Sequence, residues 1–143
     1  MYRHFGKYFQ IRWREKLGKP ECPYLIRYTL ILFNYSLRLH HWIRSDDNRY
    51  LHDHAGNFIS VVLWGEYYNH TENGIFHVIA PSWWRSNALT RHYLEIPAQK
   101  YGCWTLLLVG RPYNKWGFYV DGKKMRPKKY FKKFGVIQDK DYQ

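Results

Sequence analysis

The chain has 143 residues, long enough to bury a core of its own without disulfide support. Lys and Arg outnumber Asp and Glu by 23 to 11, a formal charge of +12, which favours nucleic acid, nucleotides or other anions as partners. Cys22 and Cys103 match no zinc spacing such as C-x₂-C, and no apolar run approaches the roughly 18–20 residues needed to cross a bilayer. With no apolar signal-peptide core at the N-terminus, the expected setting is cytoplasmic, with both thiols reduced.

Phe5, Phe9, Trp13 and Leu17 recur at four-residue spacing, with Arg3, Lys7, Arg12, Arg14 and Lys16 between them. The spacing predicts a short amphipathic N-terminal helix over 1–19, stopped by Gly18 and Pro20. Such a helix packs its aromatic stripe on the domain. A membrane-surface helix or a transit peptide is the alternative, weakened by the narrow stripe and by Glu15 within the basic face.

From Tyr24 short apolar or alternating runs follow one another: 28–33, 36–43, 58–64, 75–79, 103–109 and 116–120. Turn-forming clusters separate them, among them 44–48, Asn73-Gly74, Asn114-Lys115 and Asp121-Gly122. Many short strands without helical periods between them predict a mainly β sandwich or barrel over 24–120. With no internal repeat and no linker, 1–143 reads as a single domain. Its basic C-terminal segment, 121–143, interleaves lysines with Tyr130, Phe131 and Phe134. That segment is either a short helix with a docked aromatic side and solvated lysines, or a tail that tracks a phosphate backbone.

Leu51-His52-Asp53-His54 carries the most chemistry. On a strand His52 and His54 share one face and Asp53 points away. Two imidazoles so placed can grip a divalent ion if a third ligand arrives from elsewhere, and neutral imidazole suits Fe(II), Mn(II), Ni(II) or Zn(II). His92 lies 38 positions after His54, on a later predicted strand, and His40 is a further candidate on the preceding one. Serine, cysteine and glycine-rich signatures of nucleophilic or phosphate-loop chemistry are absent.

An ordered set of residues resembles the cupin superfamily, and within it small cupin-like proteins often encoded by phages and bacteria. It runs through Leu39-His40, Arg44-Ser45-Asp46, His52-Asp53-His54 with Asn57 and Ser60, Arg85, His92 and Trp104-Thr105-Leu106. It closes with Gly110 and Trp116-Gly117-Phe118 before Asp121-Gly122, and covers roughly 27–131. The resemblance implies a jelly roll, or double-stranded β-helix barrel, holding a metal or small ligand. Position by position, His52, His54 and His92 match the three cupin histidines. The cupin glutamate is expected where Phe58 and Ile59 stand, and the Pro-x-Gly of the second motif is missing. The implied site is therefore a three-histidine set.

Around it, His40, Asn57 and Trp116 are candidates for the substrate pocket. Asp46 and Asp53 are candidate acceptors for a ligand's second ring nitrogen, Asp53 fitting a loop-stabilising role better. Arg49 and Arg85 either orient an anionic substrate or form surface ion pairs. Three functions fit these residues. One is a metal-dependent oxygenase or isomerase acting on a small polar or anionic substrate. Another is a non-catalytic module that binds a nucleotide or nucleic acid. The third is a structural or host-interaction protein of phage origin, with the barrel only a scaffold; a phage-encoded chain would have the host cytoplasm as its setting. Cupins often dimerise, so the resemblance also implies a homodimer.

Overall fold

The computed structural model describes residues 2–4, 8–19, 21–45 and 50–134. In chain order the strands are β1 (Tyr2–His4), β2 (Phe9–Lys19), β3 (Cys22–Leu32), β4 (Tyr35–Trp42), β5 (Phe58–Trp64) and β6 (Glu66–Thr71). They continue as β7 (Gly74–Ile79), β8 (Ser82–Ser86), β9 (His92–Glu95), β10 (Cys103–Val109), β11 (Phe118–Val120) and β12 (Lys123–Met125), followed by helix α1 (Pro127–Phe134).

Seven strands form one antiparallel sheet in the order β1-β2-β3-β4-β10-β5-β8. Opposite it lie β7-β6-β9 and the hairpin β11-β12. Residues 51–53 join these two pieces. The N–H groups of His52 and His92 donate to each other's carbonyl at 2.9 Å, and Tyr119 N–H donates to the Leu51 carbonyl at 2.9 Å. The histidine-bearing segment thus bridges β9 and β11 in the middle of the second sheet, and the whole is a jelly-roll sandwich, as the strand pattern predicts.

The alternation along the large sheet is unusual. Towards the second sheet it presents three cross-strand rows. Leu17, Leu25, Trp42 and Cys103 form an apolar row, part of the main core with Val62, Tyr67, Leu94 and Ile96. The next row is Glu15, Arg27, His40, Thr105 and Val62, and the third is Arg12, Thr29, Arg38, Leu107, Ser60 and Trp84. Only the first is a conventional core. The polar rows line a cavity of about 270 Å³ between the sheets.

The predicted N-terminal helix is a correction: residues 9–19 are strand β2, so the sandwich begins well before residue 24. Each residue of the four-residue spacing also lies on a two-residue period, and Ile11, midway between Phe9 and Trp13, belongs only to the second. A bulge between Arg12 and Glu15, with Arg14 at φ 53°, then turns Glu15 and Leu17 inward and leaves Trp13 exposed, edge-on to Tyr28 at 4.8 Å.

At the other end, Pro127 at the first helical position starts α1. Tyr130 is fully buried, stacked on Phe118 at 3.8 Å, with Phe131 and Phe134 packed beside it. This is the docked-helix alternative, with Lys128, Lys129, Lys132 and Lys133 on the exposed side or partly so. Residues 135–143 lie outside the described residues. The Asp121-Gly122 turn has positive φ at both residues, 50° and 76°. Both cysteines are free thiols.

Candidate metal centre

His52 and His54 come from the central segment of the second sheet, and His92 opens the neighbouring β9. Their ligand nitrogens lie within 4.8 Å of one another. His54 Nε2 faces His92 Nε2 at 2.7 Å. Burial first, and the neighbouring imidazoles second, hold both rings well below the ordinary histidine pKa. Neutral rings keep their lone pairs, which is the state a cation requires. At 2.7 Å one nitrogen must carry the proton that the other accepts. A cation shared by the two lone pairs would replace that proton, so the donor set fits a divalent transition metal.

Asn69 on β6 completes the arrangement. Its Oδ1 accepts from His92 Nδ1 at 2.8 Å, fixing the tautomer that turns the Nε2 lone pair inward. Both side chains are buried. Nothing in the sequence marks Asn69 except its period: it shares the inward face of β6 with buried Tyr67, while His70 faces out to Glu95 at 2.6 Å.

Asp53, between the two histidines, turns away from them and is fully buried. It accepts from Gly117 N–H at 2.8 Å, Asn114 Nδ2 at 3.0 Å and the Tyr119 hydroxyl at 3.0 Å, and pairs with Lys124 at 2.6 Å. These partners pin the segment that carries His52 and His54 to the β11-β12 hairpin. Where a cupin glutamate is expected, Phe58 packs its ring 4.8 Å from that of His54, and Ile59 points outward. The surroundings are aromatic: Trp84 lies 6.0 Å from His92, and Phe118 and Trp116 lie 5.5 and 6.4 Å from His52.

The histidines open on the cavity, which His40 and Trp116 also line. Tyr67 lines it too; burial pushes its phenol up to about 12, and its oxygen accepts from Trp84 Nε1 at 2.5 Å. Two expected pocket residues fall elsewhere. Arg85 is exposed on β8, because strand alternation turns Trp84 inward and Arg85 out. Asn57 precedes β5 with its side chain outside the cavity, where Oδ1 accepts from Ala88 N–H at 2.9 Å and the Tyr113 hydroxyl at 2.7 Å. Asp46 and Arg49 lie outside the described residues.

No protein-family profile and no curated protein sequence matches this chain. Solved structures do. The iron(II) form of HppE aligns with a TM-score of 0.54 at 11% identity, covering 64% of this chain and 53% of its own. KdgF from Halomonas sp. aligns at 0.51 and 13% identity, covering 68% and 88%. SPY1581 from Streptococcus pyogenes, a protein of unknown function, aligns at 0.50 and 15%, covering 63% and 76%. The chain thus spans about half the length of HppE. Together with the jelly-roll topology, these likenesses define the class of protein: a small jelly roll with a three-histidine cluster open to its cavity. The fold they share with this chain is the cupin-like jelly roll.

Proposed function

We propose that the protein is a metal-dependent enzyme, an oxygenase or isomerase of a small anionic molecule, with His52, His54 and His92 as its metal ligands. The observation that carries this reading is the convergence of three imidazoles, two of them held neutral, with Asn69 fixing a tautomer. That HppE is an iron(II) protein of the same fold supports it. A three-histidine set leaves coordination positions open, and there a bound metal would supply Lewis-acid or redox chemistry. The chain's own contribution is to hold the ligands, to exclude water with Phe58, Trp84, Trp116 and Phe118, and to orient substrate in the cavity.

The cavity's volume of about 270 Å³ sets the substrate at small-molecule size. The +12 charge supports a second reading, a nucleotide or nucleic-acid binding module. The C-terminal aromatics lend it no help, since Tyr130, Phe131 and Phe134 are engaged in packing. Homodimer formation belongs to the proposal as well.

Metal analysis of protein purified without an affinity tag tests the first reading. The expected result is about one equivalent of a transition metal per chain, lost in His52→Ala and His54→Ala. Less than roughly a fifth of an equivalent after metal-replete expression and direct titration would overturn it.

A further inference from the structure

One group of polar side chains in the cavity is satisfied internally, and another is not. Trp84 Nε1 donates to the Tyr67 oxygen at 2.5 Å and the Ser60 side chain bonds the same phenol, so that group supplies its own partners. His40 is different. It lines the cavity, is 6% exposed, and neither ring nitrogen has a hydrogen-bond partner among the described residues. The edge-on ring of Trp42, at 5.6 Å, satisfies neither. Burial, with the Arg27 and Arg38 charges adding to it, holds the imidazole well below the ordinary histidine pKa. The ring is therefore neutral, with one N–H to give and one lone pair to receive. No hydrogen bond fixes which edge faces the cavity, and a half-turn about Cβ–Cγ exchanges each nitrogen with a carbon.

Directly across the strand pair from His40, Thr105 lines the same cavity. Its Oγ1 accepts from Trp42 Nε1 at 3.3 Å, and no acceptor among the described residues takes the hydroxyl's own proton. A buried polar group left unpaired costs its whole desolvation. A wall that served packing alone would carry an apolar side chain at position 40, as the same face of β4 does at Trp42. Side by side, the two residues offer a donor, an acceptor and a second donor. A carboxylate or phosphate uses the donors but sets its own charge against the imidazole lone pair. A cation uses the lone pair but faces the donors. A hydroxyl group accepts from one residue and donates to the other, whichever tautomer and ring edge it meets.

We propose that His40 and Thr105 form the subsite for a hydroxyl group of the substrate, across the cavity from the three histidines. His40 stands on β4 of the large sheet and the three histidines on the second sheet. Packed sheets lie about 10 Å apart, so a small molecule spans the space between them. His40 is near enough that a charge on it acts on His54. The substrate thus carries a hydroxyl at the His40 wall in addition to the group that meets the histidines. The inference deepens the enzymatic reading and rests on it only for calling the bound molecule a substrate. The hydroxyl subsite itself needs no metal.

The test uses the full chain with isotope-labelled histidines, freed of metal with a chelator. Glycerol is the probe, and the dimethyl ether of ethylene glycol, similar in size but without an O–H, is the control. Proton–nitrogen NMR follows the ring nitrogens of His40, assigned by the signal missing from His40→Gln. The expected result is one saturable shift of the His40 nitrogens by glycerol, with a Kd in the millimolar range fitting so small a molecule. The control is expected to bind at least about tenfold more weakly, as is glycerol to His40→Phe, while His40→Gln stays within about threefold of wild type. His40→Phe is also expected to unfold in urea at a midpoint no lower than wild type, because it removes an unpaired polar group. A lower midpoint would make His40 a structural residue and overturn the proposal. His40 nitrogens that glycerol leaves unmoved, met by water alone, would overturn it in the wild type without any variant. Equal binding of glycerol and the control would strike the hydroxyl assignment. Metal content separates the two readings: glycerol binding in a chain that takes up no metal sinks only the metal centre, and metal uptake without glycerol binding sinks only the subsite.

Discussion

Asn69 decides what His92 can do. An imidazole with one proton offers a lone pair at whichever nitrogen lacks it, and the 2.8 Å bond to Asn69 Oδ1 keeps that proton on Nδ1. Without the amide the ring exchanges tautomers, and the ligand-competent one becomes only a fraction of the population. Asn69→Ala is therefore expected to lower zinc affinity by about 10–100-fold, read by competition with a chromogenic chelator. Asn69→Asp keeps an acceptor at the same place and is expected to stay near wild type. Equal affinity in Asn69→Ala and wild type would remove Asn69 from the site. His52 and His54 could be singled out from the sequence because their spacing is local and matches a strand face. Asn69 could not, since its significance depends on β6 pairing with β9, which no local pattern encodes.

At the scale of the element, β2 shows how a residue's meaning changes with the period assigned to it. As part of a helix, Glu15 is a flaw in a basic face. As part of a strand, it is the buried partner of Arg27, with Thr29 Oγ1 also donating to it at 3.3 Å. Removing it leaves the Arg27 guanidinium in the interior without its counter-charge. Glu15→Ala is expected to destabilise the chain by about 3–5 kcal/mol. The double variant Glu15→Leu/Arg27→Met, which removes both charges and keeps their volume, is expected to cost much less. Urea denaturation of the three proteins gives the comparison, and additive losses would show that the two charges do not act as a pair.

The same two-residue period explains what else was legible. The strands β4, β5 and β10 were visible as apolar or alternating runs, but which face each residue takes was not. On β8, Trp83 and Arg85 face out while Trp84 faces in, so the arginine nearest the cupin-like pattern is not the one in the cavity. The cavity arginines sit on β2, β3 and β4, at positions that a conventional core would fill with apolar residues.

That inversion has a counterpart outside. The outward face of the large sheet carries one row of Ile11, Leu30, Leu37, Leu108 and Ile59, ending at Arg85, and a second of Tyr28, Leu39, Leu106, Val61 and Trp83. Leu37, Ile59, Leu108 and Trp83 are 41, 40, 50 and 68% exposed. Monomers rarely leave so contiguous an apolar patch in water. In a chain of net charge +12, the charged side chains of these two rows stand at the sheet's two edges, Arg3 opposite Ile11 on β1 and Arg85 on β8. A second copy can therefore meet the middle of this face through a two-fold axis without bringing like charges together. Five strands about 4.8 Å apart and two rows about 7 Å apart give roughly 340 Å² in projection. Side-chain relief and the rim of exposed Tyr35 and Trp64 extend that patch towards the roughly 800 Å² per partner of a standard interface. Sedimentation equilibrium is expected to give twice the 17.6 kDa chain mass. Leu37→Lys/Leu108→Lys, at directly paired positions, places four lysines across the axis and is expected to return the single-chain mass with the fold intact by circular dichroism. A wild type that sediments at the single-chain mass up to about 100 μM, well above the Kd of a standard-size interface, would leave the patch without this partner.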